Sequence, residues 1–373
     1  DHSPLPFPSG PRVSAPGVLP AQALRALIEA GAVAAEGGVP GELVQPASLD
    51  LRLGARAFRV RASFLAAGGR TVAERLDRFA MHEIDLSRGA VLERGCVYVV
   101  PLMERLALPA DVSGAANAKS STGRLDLLTR LVTDRAEAFD VIEPGYAGPL
   151  YAEISPRSFS VLVRPGLRLN QIRLRRGEAE LSDAELAALH AREALVDVAP
   201  RIDGGLAFSV DLTARGSAPV GWRAKPHAAL IDLDRIGAYD PRAFWEPLAP
   251  DPEGGLILDP GAFYILMSRE SVAVPPDHAA EMRPHLAMAG EFRVHYAGFF
   301  DPGFGHASAG GAGSRGVLEV RCHEAPFVLE HGQVVGRLVY ERMAERPDVL
   351  YGREVGSNYQ GQALKLAKQF REP

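Results

Sequence analysis

The sequence predicts a mainly β protein that contains two tandem copies of one small domain and a few short helices. Three observations support this prediction. The 373 residues include 38 glycines and 29 prolines but only 7% aromatic residues, a composition typical of many short strands joined by turns. Several short apolar or alternating segments are bounded by glycine or proline. The order of these segments in the first half of the chain recurs in the second half.

The bulk composition limits the possible partners. Apolar residues make up 47% of the chain and charged residues 23%, as in globular proteins. The net charge of −5 argues against a broad binding surface for nucleic acid or membrane. No apolar run approaches a membrane span, the first residues do not resemble a signal peptide, and Cys96 and Cys322 match no metal or redox spacing. We therefore expect a cytoplasmic protein with no nucleic-acid or membrane partner.

Local patterns predict the elements in order. Residues 1–17, rich in proline, serine and glycine, predict a flexible arm. The segment from Pro20 to Gly31 carries apolar residues on one face and predicts a short amphipathic helix. Ser182, followed three residues later by Glu185, is a capping-box pattern that starts a second helix near the middle of the chain. Strands are predicted at SLDLRLG from Ser48, CVYVVPL from Cys96, LYAEI from Leu150 and SVLVRPG from Ser160.

Four blocks of sequence recur in the same order in the two halves of the chain. Such self-similarity indicates a duplicated domain, and chance similarity among strands bounded by glycine and proline does not explain four ordered blocks. The last block places Glu153 opposite Glu319. The matched blocks are Leu92–Gly114 with Leu258–Ala280, SLDLRLG from Ser48 with SVDLTAR from Ser209, IEPGYAG from Ile142 with FDPGFGH from Phe300, and LYAEI with VLEVR.

The repeats and the central helix predict how the chain is divided. The expected regions are a flexible arm at 1–17, a first domain at 18–181, a linker helix at 182–199, a second domain at 200–345 and a C-terminal tail or lid at 346–373.

One polar cluster occurs only in the first copy. The segment AKSSTGRLDL holds Lys119, Ser120, Ser121 and Arg124 within six residues, with a glycine between the hydroxyls and the arginine. Hydroxyls, free backbone amides and flanking cations suit an oligophosphate, although the P-loop pattern is absent. The alternative is a polar turn that caps a helix. The second copy has EMRPHLAMAGEFRV at this place and therefore lacks the cluster.

The order of these motifs resembles one known family. SSTGRLDL, EPGYAG, YAEI and RPG follow one another, QPASLDLRLG precedes them, and GSNYQGQ lies near the C-terminal end. This arrangement resembles the dCTP deaminase branch of the dUTPase-like superfamily, in a double-length form. The resemblance implies two tandem dUTPase-like domains, each a distorted β-barrel or jelly-roll-like fold. It also implies a trimer-based homo-oligomer with active sites between subunits.

The resemblance also implies a reaction and a set of site residues. The reaction is hydrolytic deamination of dCTP to dUTP and ammonia, with Mg²⁺ carried by the triphosphate and held by no dedicated protein ligands. Ser120, Arg124 and Glu153 match the catalytic segment, and Glu153 matches the general base. The expected substrate-binding residues are Lys119, Ser120, Ser121 and Arg124, with Tyr359, Gln360 and Gln362 in a tail that closes over the triphosphate.

The chemistry agrees with a carboxylate mechanism. Zinc deaminases carry an HxE…PCxxC signature, which this sequence lacks, so a metal-free route needs a carboxylate that acts as both base and acid. Glu153 lies in the apolar segment PLYAEISP, where burial would raise its pKa and a nearby Arg124 would lower it. The alternative is an edge-strand carboxylate that faces water.

The second copy leaves two interpretations open. It keeps Glu319 but lacks the SSxxR pattern. It is either a degenerate scaffold, which we prefer because the first copy already holds every expected group, or the source of a carboxylate that joins the Lys119–Arg124 cluster across an interface.

The segment between the cluster and Glu153 departs from the family pattern. It is longer than usual and lacks the histidine that the family has there, and Asp134, Arg135 and Asp140 are candidate substitutes or solvated loop charges. Two other functions stay open. One is a dUTPase or a bifunctional dCTP deaminase and dUTPase, and the other is a non-catalytic protein that binds or senses deoxynucleoside triphosphates.

Overall fold

The structure is a computed structural model that describes residues 15–285, 292–294, 298–352 and 364–373. It is mainly β, as predicted. Most of the predicted arm at 1–17 lies outside the described residues, as do Tyr359, Gln360 and Gln362 of the predicted tail.

The first half of the chain forms a lobe, here called lobe 1, which contains thirteen β-strands and three short helices among its described residues. A 3-10 turn at Gly41–Leu43 precedes the third strand. In chain order the elements are β1 (Gly17–Val18), α1 (Ala21–Glu29), β2 (Val33–Ala35), β3 (Leu49–Leu51), β4 (Arg56–Val60), α2 (Val72–Phe79), β5 (Ala80–Asp85), β6 (Ala90–Leu92), β7 (Val97–Ala107), β8 (Val112–Ala118), α3 (Ser120–Arg124), β9 (Leu127–Thr133), β10 (Val141–Ile142), β11 (Ala147–Pro156), β12 (Val161–Val163) and β13 (Asn170–Arg176).

The second half forms lobe 2, which follows a helix in the middle of the chain, α4 (Asp183–Arg192). A 3-10 turn at Ala307–Ala309 lies between two of its strands. The elements of lobe 2 are β14 (Leu206–Ser209), β15 (Gly221–Ala224), β16 (Ile231–Asp232), α5 (Pro241–Phe244), β17 (Trp245–Leu248), β18 (Gly255–Leu258), β19 (Phe263–Val272), β20 (His278–Pro284), β21 (Phe292–Val294), β22 (Phe299–Phe300), β23 (Ser314–Cys322), β24 (Phe327–Glu330) and β25 (Val334–Arg342).

The two lobes have the same sheet topology, which confirms the predicted duplication. In lobe 1 the strands β3, β13, β8 and β10 lie side by side, and β14, β25, β20 and β22 have the same arrangement in lobe 2. The order β5-β4-β7-β11-β9 corresponds to β17-β15-β19-β23-β21. The pairing register is also shared, because Glu153 lies opposite Val99 in lobe 1 and Glu319 lies opposite Ile265 in lobe 2. The two glutamates therefore occupy equivalent backbone positions.

The lobes pack against each other through an apolar core that both supply. Trp245 of lobe 2 is fully buried among residues of the lobe 1 core, and its ring meets that of Phe159 edge-on at a centroid distance of 5.3 Å. Phe370, near the C-terminal end of the chain, joins the same cluster. In addition, β16 of lobe 2 pairs in parallel with β12 of lobe 1. Large aromatic groups bury much surface, so this shared core fixes one lobe on the other.

The helices agree in part with the sequence patterns. The helix predicted between Pro20 and Gly31 is α1, and α4 begins at the predicted capping box, in which Glu185 N donates to Ser182 Oγ at 3.2 Å. The leucines of α4 pack in the core of lobe 2. The sequence analysis did not predict α2, whose capping box is formed by Thr71 and Glu74. Among the described residues, no helix has the length and apolar character needed to cross a lipid bilayer.

The capping box of α4 makes a testable contribution to stability. Ser182→Ala removes an acceptor for an otherwise unpaired backbone N–H, so we expect the free energy of unfolding to fall by about 1 kcal/mol. Chemical denaturation measures this change. The control is Ser217→Ala, because Ser217 is exposed on a loop and its replacement should change stability by less than about 0.5 kcal/mol. Equal stabilities of the two variants would contradict the assigned cap.

Candidate active site between the two lobes

The polar cluster of lobe 1 forms a rigid turn at the end of β8. Lys119 is extended and precedes α3, a helix of only five residues. Lys119 N and Thr122 Oγ1 both donate to the carbonyl of Leu169, at 2.9 and 2.8 Å. Gly123 N closes the turn on the carbonyl of Lys119 at 3.0 Å. These bonds tie α3 to the start of β13 and fix the direction of its side chains.

Alongside α3 lies a cavity of about 580 Å³ that carries several cations. Lys119, Ser120 and Ser121 line one side, and Arg168 and Lys368 line others. Lys368 comes from the C-terminal segment, and its backbone N–H donates to Ser121 Oγ at 3.3 Å. These three cations can bind an anionic group. The carboxylates of Glu42, Asp50, Asp234 and Asp301 line the same cavity.

A buried aspartate positions two of these cations. Asp50 is 1% exposed, and it binds Lys119 Nζ at 2.7 Å and Arg168 Nη1 at 3.4 Å. Burial lowers the pKa of Lys368, and Lys119 and Arg168 lower it further. Asp50 and Asp234 oppose this lowering of the pKa of Lys368 in part.

A buried ion pair links the two lobes next to this cavity. Arg124 Nε of α3 lies 3.7 Å from Glu319 Oε1 of β23, and the two side chains are 4% and 9% exposed. Burial raises the pKa of Glu319 to about 7, and the nearby Arg124 limits the rise. At neutral pH this carboxyl group therefore exists in both protonation states, which suits a group that takes up and returns a proton.

The ion pair and the cationic cavity belong to one continuous site. Arg124 and Glu319 line a smaller cavity of about 60 Å³. Lys119, Ser120, Phe299 and Tyr351 line both this cavity and the larger one. The site thus has a polar region that contains both cations and carboxylates, and a narrower region that contains the carboxyl group of Glu319. Residues of both lobes form it.

The expected contact between Glu153 and Arg124 is wrong. Glu153 is 2% exposed, and its two carboxylate oxygens accept hydrogen bonds from Arg130 Nη2 and Ser63 Oγ, each at 2.6 Å. The guanidinium group of Arg130 lies 3.7 Å from the ring centroid of Phe139. Because the site is formed between the lobes, the carboxylate that meets α3 comes from the other lobe, and side chains of lobe 1 itself cover Glu153.

Comparison with known proteins identifies the family. Residues 15–178 match the 2'-deoxycytidine 5'-triphosphate deaminase (DCD) N-terminal domain, and residues 182–370 match the 2'-deoxycytidine 5'-triphosphate deaminase (DCD) C-terminal domain. The chain belongs to the dCTP deaminase family. A crystal structure of 2'-deoxycytidine 5'-triphosphate deaminase from Agrobacterium tumefaciens is 57% identical, with a TM-score of 0.85 over 90% of this chain and 100% of that chain.

Shorter members of the dCTP deaminase family match part of the chain. A dCTP deaminase, dUMP-forming, from Corynebacterium glutamicum is 30% identical over 154 residues, which cover 40% of this chain and 76% of that protein. A dCTP deaminase, dUMP-forming, from Thermobifida fusca is 33% identical over 150 residues, which cover 40% of this chain and 72% of that protein.

In this member of the dCTP deaminase family, some of the predicted site residues line the two cavities. Other residues that the sequence did not indicate line them as well. Lys119, Ser120, Ser121 and Arg124 lie at the site, with Glu319 from the second copy. Asp134, Arg135 and Asp140 line neither cavity. Sequence reasoning missed Asp50, Arg168, Asp301, Phe299, Tyr351 and Lys368, although Asp301 stands in the repeated FDPGFGH block and Arg168 follows the RPG motif.

The titration of Glu319 gives a testable dependence of stability on pH. Its pKa rises from 4.5 to about 7 on folding, so the native state holds this proton more tightly than the unfolded state. This contribution to stability is present below pH 4.5 and is lost as the pH rises toward 7, by at most about 1.4 kcal/mol per pH unit. We expect Glu319→Gln to remove this slope, so that the variant gains stability relative to wild type as the pH increases.

Denaturation at several pH values between 4.5 and 7.5 measures this difference. Ser217→Ala, which removes no titratable group, serves as the control and should keep the wild-type slope in this range. Parallel stability curves for wild type and Glu319→Gln would contradict the raised pKa.

Proposed function

We propose that this protein catalyses the hydrolytic deamination of dCTP to dUTP and ammonia, with Glu319 as general base and general acid. The observation that carries the proposal is the buried pair of Glu319 and Arg124, which adjoins a hydroxyl-lined cationic cavity. In this proposal Glu319, and not Glu153, is the reactive carboxylate, and the site lies between two lobes of one chain.

The larger cavity supports the assignment of a triphosphate. Its volume of about 580 Å³ lies within the range of small-molecule sites. Lys119, Arg168 and Lys368 supply positive charge there, and Ser120 and Ser121 supply hydroxyl donors. Charge-assisted hydrogen bonds to phosphate oxygens are strong. We place the triphosphate in this region and the pyrimidine toward Glu319.

Each step of the proposed reaction uses either the ionised or the protonated form of the Glu319 carboxyl group. Ionised Glu319 removes a proton from water, and the resulting hydroxide attacks C4 of the cytosine ring to give a tetrahedral intermediate. Protonated Glu319 delivers this proton to ring N3, then takes the proton of the new C4 hydroxyl group and passes it to the amino nitrogen. The C4–N bond breaks, and ammonia leaves as the C4 carbonyl forms, with N3–H kept in the uracil ring. A carboxyl group with a pKa of about 7 performs these steps at neutral pH.

Arg124 and Ser120 have supporting roles in this proposal. Arg124 stabilises the ionised form of Glu319, so that a usable fraction of the base is present despite burial. Ser120 lies between the two cavities, where its hydroxyl group orients the attacking water or the departing amine. Arg124 and Glu319 are themselves almost fully buried, and burial strengthens the electrostatic interaction between them.

The residues at the site do not form a dedicated cage for a metal ion. In the described ranges, no three or more histidine, cysteine, aspartate or glutamate side chains are grouped for metal binding, and zinc deaminases require such a set. Asp50 is engaged by Lys119 and Arg168. We therefore propose a zinc-independent reaction in which Mg²⁺ arrives on the triphosphate, where it neutralises phosphate charge.

A second candidate function is the conversion of dCTP through to dUMP. It is favoured by the names of the Corynebacterium and Thermobifida relatives, which are dUMP-forming. The chemistry would add hydrolysis of the bond between the α- and β-phosphates and release diphosphate.

A trimer-based homo-oligomer is also part of the proposal, and sedimentation of the purified chain tests it.

Measurement of the products tests the proposed reaction directly. We expect the purified protein, incubated with dCTP and Mg²⁺, to release ammonia and dUTP in equal amounts. Separate assays for ammonia and diphosphate distinguish the alternatives. Release of both products favours the dUMP-forming reaction, and binding of dCTP without either product favours a non-catalytic sensor.

Replacement of the two equivalent glutamates tests which one acts. Glu319→Gln should lower kcat by at least about 10³-fold while dCTP still binds, because the amide neither accepts nor returns the proton. Glu153→Gln should retain kcat within about threefold and reduce stability by about 1–3 kcal/mol, because Arg130 loses its buried ionic partner. Steady-state kinetics and thermal melting measure both effects. Loss of activity in the Glu153 variant alone would overturn the assignment.

A further inference from the structure

A second ion pair crosses the lobe interface beside the first, with the charges reversed. Asp126 lies two residues after Arg124 and is fully buried. It forms a salt bridge with Arg321, which lies two residues after Glu319 on β23 and whose side chain is 12% exposed. Lobe 1 thus contributes a cation followed by an anion, and lobe 2 contributes an anion followed by a cation.

The geometry of β23 explains why both pairs face lobe 1. Side chains two residues apart in a strand point to the same face. Val317, on the face of Glu319 and Arg321, packs in the core cluster of lobe 1. Leu318 and Val320, on the opposite face, pack in the core of lobe 2. The alternation of β23 therefore aims one face at the active site and at α3.

The two ion pairs have opposite orders of charge. Only one alignment of residues 124–126 with β23 therefore brings unlike charges together at both positions. A shift of two residues would place Arg124 opposite Arg321, or Asp126 opposite Glu319, and both arrangements bring like charges together. Like-charge contacts in a buried interface are costly and exclude alternative alignments. The two pairs therefore define where Glu319 lies along α3.

Both members of the second pair are held firmly. Asp126 has φ +54°, a left-handed conformation that costs energy for residues other than glycine, although aspartate tolerates it better than most. Ser158 Oγ donates to Asp126 Oδ2 at 2.7 Å. Arg321 Nη1 donates to the carbonyl of Gly261 at 2.7 Å. A strained backbone and a fully buried carboxylate both cost free energy. The contact of Asp126 with Arg321 across the interface accounts for a carboxylate at this position.

We propose that Asp126 and Arg321 are positioning residues that hold the Glu319 carboxyl group in register with Arg124. This inference rests on the proposed function for its effect on turnover. Neither residue touches substrate in the proposal. Their effect is on the alignment of a reacting group, where a displacement of about 1 Å can cost up to about 10²-fold in rate.

Two substitutions of Asp126 separate a positioning role from a purely structural one. Asp126→Gly accepts φ +54° without strain, and Asp126→Asn keeps the size and the local turn, but both remove the charge that binds Arg321. We expect each to lower kcat for dCTP by about tenfold or more while KM changes by less than about threefold. Arg321→Lys, which keeps the charge but loses the guanidinium fork, should give an intermediate kcat.

The matched control is Arg315→Met on the same strand. Arg315 forms an ion pair with Asp211, which stays within lobe 2. This variant should melt at a lower temperature and keep kcat within about twofold. Unchanged kcat in folded Asp126→Gly and Asp126→Asn, with lowered stability alone, would overturn the inference.

A readout that does not need turnover separates this inference from the proposed function. Infrared difference spectra of wild type against Glu319→Gln report the titration of the Glu319 carboxyl group. Asp126→Gly should shift the midpoint of this titration by more than about half a pH unit. If wild type releases no ammonia from dCTP but the midpoint shifts, the proposed function fails and the positioning role stands. If wild type is active and neither kcat nor the midpoint changes, the positioning role is wrong.

Discussion

The site depends on one buried ion pair, between Arg124 of lobe 1 and Glu319 of lobe 2. Removing a carboxylate and a guanidinium group from water is costly unless each meets the other. The pair therefore exists only while the two lobes are packed, and the aromatic core around Trp245 and Phe159 provides that packing. Lobe 1 alone has Lys119, Arg168 and the hydroxyl groups, but it has neither Lys368 nor this carboxylate. The site is therefore complete only when both lobes are packed together.

The two lobes have the same sheet topology, but the side chains around their equivalent glutamates differ. Glu153 and Glu319 occupy equivalent positions in their sheets, yet their surroundings differ. Arg130 and Ser63 satisfy Glu153 fully within lobe 1, whereas Glu319 is buried against one arginine at 3.7 Å and holds its proton up to about pH 7. The hydrogen bonds of Glu153 stabilise lobe 1. Burial of Glu319 gives a carboxyl group whose pKa is raised to about 7. Equal backbone positions thus give different chemistry because neighbouring side chains set the free energy of ionisation.

The sequence predicted much of this architecture and part of the site. Periodicity and turn residues located strands, the capping pattern at Ser182 located α4, and ordered repeats predicted two similar lobes. The polar cluster from Lys119 to Arg124, which the sequence singled out, lines the cavities. The carboxylate that contacts it could not be chosen from the sequence, because two glutamates stand at equivalent points of the repeat and only the packing of one lobe on the other distinguishes them. The contribution of Lys368 depends on a similar non-local contact, between the C-terminal segment and α3.

Two ionisable groups of the site, one basic and one acidic, are less stable in their charged forms in the folded protein. In the larger cavity, burial lowers the pKa of Lys368, and the nearby Lys119 and Arg168 lower it further. In the smaller one, Glu319 is desolvated, and its pKa rises. Each shift means that the ionised group is less stable in the folded protein than in water. An anionic tail placed among the cations, with a polar ring beside the carboxyl group, would relieve both costs at once. Under the proposed function, binding of such a ligand would stabilise the packing of the lobes that creates the site.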